Sequence, residues 1–370
     1  MKYSDNPYPL LSMDSFGALK EAWERGWLDS FDKNHFLIRA IHGDLDNKYL
    51  GILQYKCNNV WMPETGYGQF DINFCMNFSM KLRGLMNFFG EHAIQQFIEN
   101  QLSAGKENYN EAQFFRALSE VSVLTFWQMM SLSGEYEPHT NGKKNPEARF
   151  ICRNGLTVDV EVKTPGFMVA DTIKEYAIPA VLLDDKGLEF MDYCNEHALC
   201  PVMPRINKLK DFLNSAADKF VGVDHEHHMN FLYINWTFSE FPECSYLEAY
   251  SLLANQVNGI LRNKDLGKEI GLKDEVYDRI TAVIVYTESL NGLMFDDFRY
   301  IWTRSQEGFV HFGIVGMHNI ESLFEVTKMN PINNFEFPAL LYISGKENHF
   351  IQLMEIINRH AKKSSAVDNT

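Results

Sequence analysis

No run of about 18 consecutive apolar residues occurs in the chain, which excludes a helix that spans a membrane. Cysteine is sparse: the 370 residues hold six, Cys57, Cys75, Cys152, Cys194, Cys200 and Cys244, too scattered for a disulfide framework. The opening stretch MKYSDNPYPL lacks the apolar core of a secretory signal. Together these features point to reduced thiols and a cytoplasmic protein. There is no Walker-type loop, no glycine-rich dinucleotide fingerprint and no local signature of Ser/His/Asp or Cys/His catalysis. No internal repeat with a period of about 20–50 residues is present, so the solenoid and propeller classes drop out. Positive charge is short as well, with 34 Lys and Arg against 49 Asp and Glu, a net charge of -15. Phosphate affinity rests on Lys and Arg, so any contact with nucleic acid has to be made through a local basic groove.

What the chain does have is core material: 45% of it is hydrophobic, including 28 Phe and 16 Tyr. Length and composition suit one large domain or two to three smaller ones. Residues 1–107 read as a mostly helical region, in which MKLRGLMNFFGEHAIQQFIENQL forms one helix or two. The polar break SAGKENYN, residues 103–110, marks a boundary. Residues 108–290 read as an α/β core, and residues 291–370 as an α/β extension with a disordered polar tail. Within the core, helical spacing of Phe114, Leu118, Val121 and Leu124 predicts a helix from Asn110 to about Leu132. EYEPH is a candidate strand, and EARFIC and LTVDVEV alternate as strands do. A stripe of Ile206, Leu209, Leu213, Ala216, Ala217 and Phe220 predicts a second helix, followed by strands at NFLYINWTF and ITAVIVYTE. The order helix, strand, strand, strand, helix, strand (αβββαβ) implies a mixed sheet flanked by helices.

The segment LTVDVEVK carries the functional argument. Val158, Val160 and Val162 share one face of the strand; Asp159, Glu161 and Lys163 share the other. Arg153-Asn154-Gly155 separates it from EARFIC, and two hairpin registers are available. A two-residue turn would put Arg149 on the valine face. A three-residue loop with Gly155 in the left-handed position pairs Cys152 with Leu156, and joins Ala148, Phe150 and Cys152 to the valines. The hydrophobic pattern selects the second register, because a slip of one residue buries an arginine. Arg149 then falls opposite Asp159, and Glu147 opposite Glu161, with β-carbons about 5 Å apart and a like-charge penalty of up to about 1 kcal/mol. A cation between them would reverse the sign. Oxygen ligands with room for water and phosphate describe a Mg²⁺ site (Mn²⁺ as a substitute) rather than zinc. Lys163, on the same face, is placed to stabilise charge developing on a phosphate or to hold a water. Glu120, whose helical neighbours are Ala117, Val123 and Leu124, sits beside the apolar stripe and needs a partner: the same cation, a backbone donor or an arginine.

A helix bearing Glu120 in LSEVSV, then Pro146-Glu147, then Glu161-Val162-Lys163 resembles the pattern of the PD-(D/E)XK nucleases of the restriction-endonuclease-like fold. The resemblance covers residues 110 to 288, about half the chain. It implies a Mg²⁺-dependent phosphodiesterase, for which DNA is the expected substrate and RNA the alternative. Glu147 and Glu161 would be the main metal ligands, Glu120 a third, and Lys163 would assist the water. One departure is that the second carboxylate, usually Asp, is Glu147 here. Two other readings stand beside the nuclease: a solvated charged face, and a nuclease-fold protein without catalysis that binds a protein partner or a second copy of itself. Lys143, Lys144, Arg149, Arg153, Arg205, Lys208 and Lys210 are the candidates for a nucleic-acid groove, against a plain solvated helix face. The histidine-rich DHEHHM (224–229) and the CNEHALC stretch (194–200) read as an exposed polar loop and buried thiols before they read as metal sites.

Overall fold

The structure, a computed structural model, describes residues 16–31, 35–42, 67–102, 111–140, 144–165, 175–179, 206–236, 246–254, 259–286, 312–318 and 340–344, with isolated positions besides. The polar break at 103–110, Lys143, Cys194, Cys200, Arg205 and the terminal tail lie outside the described residues. Helices α1 (Gly17–Glu24), α2 (Phe36–Ile41), α3 (Tyr67–Phe89) and α4 (Glu91–Phe97) precede the long α5 (Glu111–Met130). Strands β1 (Ser131–Tyr136), β2 (Ala148–Cys152) and β3 (Thr157–Lys163) follow, then β4 (Glu175–Pro179) and β5 (Pro201–Val202). After α6 (Ile206–Lys219) come β6 (His228–Asn235), α7 (Tyr246–Ala254), α8 (Lys264–Glu269), α9 (Asp274–Arg279), β7 (Ala282–Tyr286), β8 (Phe312–Gly316) and β9 (Leu340–Ser344). The split between α3 and α4 falls at Gly90, whose φ of 93° no helix accommodates.

The main sheet has six strands in the order β1-β2-β3-β6-β7-β8. β1, β2 and β3 form an antiparallel meander, β6 and β7 run parallel to β3, and β8 returns antiparallel. Helix α6 lies in the connection between the parallel strands β3 and β6, as a parallel pair requires. A second, three-stranded sheet pairs β9 with β4 and β5. The strands β8 and β9, from the C-terminal stretch, thus hydrogen-bond to strands laid down earlier in the chain.

The β2–β3 hairpin has the register that the hydrophobic alternation demands: Ala148 pairs with Val160, Arg149 with Asp159 and Phe150 with Val158. The three-residue loop is closed by Cys152 N–H donating to Leu156 O (2.8 Å) and Gly155 N–H to Cys152 O (3.0 Å). Asn154 Oδ1 accepts from Leu156 N–H at 3.1 Å. Gly155 has φ 85°, with nothing within 4 Å of where a β-carbon would stand. Gly155→Ala is therefore expected to cost about 1–2 kcal/mol through backbone strain alone, read as a lower midpoint in urea unfolding with an unchanged slope.

The two faces of the sheet carry separate cores. On the valine face, Val158, Val160, Val162, Phe231, Tyr233 and Ile284 pack with Trp127 of α5 and with the N-terminal helices through Phe78, Leu82 and Leu85. Trp127 stacks on Phe231 at 5.8 Å, and its indole N–H donates to the Tyr233 hydroxyl at 3.0 Å. On the other face, Leu232, Ile234, Val283 and Val285 pack against Leu209, Leu213, Ala216 and Ala217 of α6 and against α7 and α9. That second face is the one that bears Asp159, Glu161 and Lys163, since β3 and β6 pair in register as Glu161 with Leu232 and Lys163 with Ile234. β3 is an interior strand, so its charged face is covered rather than wet: Asp159 and Glu161 are both 0% exposed.

Candidate active site

Strand β3 places Glu161 in the buried layer between sheet and helix. The hairpin register carries Glu147, the residue before β2, next to it; Glu147 N–H donates to Val160 O at 3.0 Å. Lys163, two residues along the same face, pairs its ammonium with Glu161 Oε1. A second lysine, Lys219, reaches the same oxygen at 2.7 Å and lies 3.1 Å from Glu147 Oε1. The cation that the opposed carboxylates call for is thus present in the chain itself. Lys219 is the last residue of α6, three positions after the buried Ala216, so the helix that buries its apolar stripe also aims this ammonium at the sheet. A positive charge there also complements the C-terminal end of the helix dipole.

Glu120 joins from the opposite layer. Its helix, α5, packs on the valine face, yet the carboxylate is close enough to feel Glu147, Glu161, Lys163 and Lys219. It is buried, and among the described residues neither its Oε2 nor Glu161 Oε2 has a hydrogen-bond partner. The Tyr136 hydroxyl, at the end of β1, is buried near the same carboxylates and is unpartnered too.

Burial dominates the titration of these groups. It raises Glu120 well above the ordinary carboxylate range, with Glu147 and Glu161 adding to the rise. Burial, then the Glu147 charge, pushes Glu161 up to about 7 in spite of Lys163 and Lys219. Burial would lower Lys219, but Glu147 and Glu161 outweigh it and hold the ammonium above its usual value. The ion pairs therefore favour the lysine more than they favour Glu161, because the carboxylate is the more deeply enclosed partner. Tyr136 is raised by burial and then by Glu120, so the phenol keeps its proton as a donor.

Asp159, on the same face as Glu161, is committed elsewhere. Arg149 Nε donates to its Oδ1 at 2.6 Å and Nη2 to its Oδ2 at 2.7 Å, the side-on bidentate pairing expected from the register. His228 Nε2 lies 3.2 Å from Oδ2. Burial would raise Asp159, but hydrogen bonds from Arg149 and then His228 hold it below its ordinary value. Arg149 is thereby tied to Asp159 and stays partly exposed. Lys144, Arg153 and Lys208 are exposed, and Lys210 donates to Asn207 at 3.3 Å. Lys208 and Lys210 stand on α6 about 13 Å or more along the helix from Lys219.

The histidine-rich loop is a structural cap. Asp224 Oδ1 accepts the backbone N–H of Glu226 (3.0 Å), His227 (2.8 Å) and His228 (3.0 Å). His225 is buried, stacked on His318 with ring centroids 3.6 Å apart. Among the described residues, no three His, Cys, Asp or Glu side chains stand arranged to hold a metal ion.

Two site residues escaped the sequence reading. Lys219 carries the same signal as Glu120, a charged residue beside an apolar helical stripe, while Lys208 and Lys210 stand at the other end of α6. Tyr136 lay within the strand anticipated at EYEPH and carried no signal of its own. No family model matches the chain, and no curated protein or solved structure matches it either.

Proposed function

We propose that this chain is a Mg²⁺-dependent nuclease of restriction-endonuclease-like architecture that hydrolyses phosphodiester bonds in DNA, with RNA the alternative substrate. One observation carries the reading. Glu120 from a helix, Glu147 from the start of a strand, and Glu161 and Lys163 from the next strand enter one buried electrostatic cluster. The helix, three-strand meander, crossover helix and parallel strand that position them follow the order that the resemblance implies. The donor set suits a hard cation: it is all oxygen, and Glu120 Oε2 and Glu161 Oε2 are buried without a hydrogen-bond partner. Glu147, Glu161 and Glu120 would hold the ion, which supplies Lewis acidity toward the phosphodiester. The Lys163 ammonium is placed to stabilise negative charge developing on the phosphate, and the protonated Tyr136 offers a neutral donor beside it.

A second reading has its own support. Lys219 already neutralises the Glu147–Glu161 pair, so the same residues serve a non-enzymatic, partner-binding member of the fold. The two readings part in one assay, in which Mg²⁺ or Mn²⁺ is titrated into the protein at low salt with supercoiled plasmid. The nuclease reading expects metal-dependent nicking that EDTA stops. Absence of nicking and of any bound metal across the titration would favour the partner-binding reading.

A further inference from the structure

Resting on the metal-dependent reading above, we propose that Lys219 is a built-in competitor for the cation: its ammonium fills the place between Glu147 and Glu161, and a divalent ion enters only as the lysine withdraws. The contacts fit a resident counter-ion. Lys219 Nζ stands 2.7 Å from Glu161 Oε1 and 3.1 Å from Glu147 Oε1, bridging the two carboxylates that the hairpin forces together. Without it the hairpin would set two buried like charges side by side, which neither the strand pairing nor Lys163 alone would neutralise. Among the described residues, Lys163 pairs with Glu161.

Contacts from other residues hold the backbone around Lys219, and none of them depends on where its ammonium rests. The Lys219 carbonyl accepts from Thr140 Oγ1 at 3.4 Å. Arg279 Nη1 donates to Ala217 O (3.0 Å) and to Phe220 O (3.2 Å), pinning the helix end on both sides. An ammonium on a four-carbon chain leaves by rotation of its own torsions, with no helix hydrogen bond broken. A bidentate arginine would be far harder to dislodge. The metal-free protein is then charge-compensated and folded, and a tethered ammonium competes with metal at a high effective concentration. Low metal affinity of the resting protein follows from this arrangement.

The test measures Mn²⁺ binding to the full chain at pH 7.5, by the loss of the free-ion electron paramagnetic resonance signal and by calorimetry. It compares the wild type with Lys219→Met, Lys219→Gln and Glu161→Gln. Circular dichroism checks each for folding; Lys219→Gln keeps a hydrogen-bond donor between the carboxylates if the methionine variant fails to fold. Removing the competing charge is expected to tighten Mn²⁺ binding at least about tenfold, while Glu161→Gln loses it. Mn²⁺ is also expected to raise the melting temperature of the Lys219 variants more than that of the wild type. If the wild type binds Mn²⁺ and the Lys219 variants bind it equally or more weakly, the lysine assists the site and the competition is refuted, with the metal reading intact. If neither the wild type nor any Lys219 variant binds Mn²⁺ at millimolar concentration, the metal reading falls and takes the competition with it.

Discussion

At pH 8, Glu161→Gln is expected to stabilise the fold by roughly 1–3 kcal/mol while lowering metal-dependent plasmid cleavage at least about a hundredfold. The stability gain follows from the titration of a carboxyl that is 0% exposed and pushed from 4.5 up to about 7 by burial and by Glu147. Between those two values the folded protein retains a proton that the unfolded chain releases. Stability is therefore fullest below about pH 4.5 and declines as pH rises toward 7, the pattern of a group whose ionisation opposes folding. Glutamine removes that term without changing shape. The gain should shrink as pH falls and vanish well below pH 4.5, where both states of the wild type are protonated. Glu120, Glu147, Lys163 and Lys219 all face this carboxyl, so the profile reports the cluster as a whole. Loss of cleavage alongside a gain in stability is what a functional site held at the expense of the fold should show. Urea unfolding at pH 5 and pH 8, with plasmid nicking on the same samples, measures both. A variant that is destabilised at pH 8 and still cleaves would overturn the assignment of Glu161.

Arg149→Met is the second large effect, and it acts on stability alone. It leaves Asp159, fully enclosed, with the His228 ring as its remaining side-chain contact among the described residues, in place of two short bonds from one guanidinium. Breaking a buried pair from one side costs about 3–5 kcal/mol, because an uncompensated charge stays behind. Replacing both members with apolar residues, as in Arg149→Met/Asp159→Leu, should recover most of the loss. The pH dependence has the opposite sign from that of Glu161. Asp159 is held below 3.8, so its contribution is present above that value and fades as pH falls through its folded one. The deficit of the single variant is accordingly expected to narrow in acid. Denaturant midpoints for the single and double variants give the answer; a double variant weaker than the single would count against this account.

The two predictions come from neighbouring residues of one strand face, and they differ because of what covers each. Asp159 has its partner across the hairpin, ten residues away. That partner was legible in the sequence, since alternation of apolar and charged residues leaves one register that keeps Arg149 out of the core. The same alternation predicted the loop at Gly155, the opposition of Glu147 and Glu161, and the valine face that α5 covers. Helical stripes placed α5 and α6 within a few residues of their observed ends. Each of these rests on local periodicity, in which a side chain's direction follows from its position in the element.

Periodicity sets Lys219 beside the apolar stripe of α6, but it does not say that Lys219 meets the hairpin carboxylates. The lysine lies 72 residues from Glu147, across the connection that contains α6, and nothing in the hairpin specifies which residue of that helix will arrive above it. A strand with three charges on one face reads equally well as a wet edge. Only the placement of β6 beside β3, in parallel register and with α6 laid over it, turns that face into a buried layer where carboxylates need cations. The sequence by itself determined which residues share a face and which two glutamates must meet. The tertiary structure decided that they meet away from water with a lysine between them, because burial and the arrival of a distant charge are properties of the packed layers and not of any one strand.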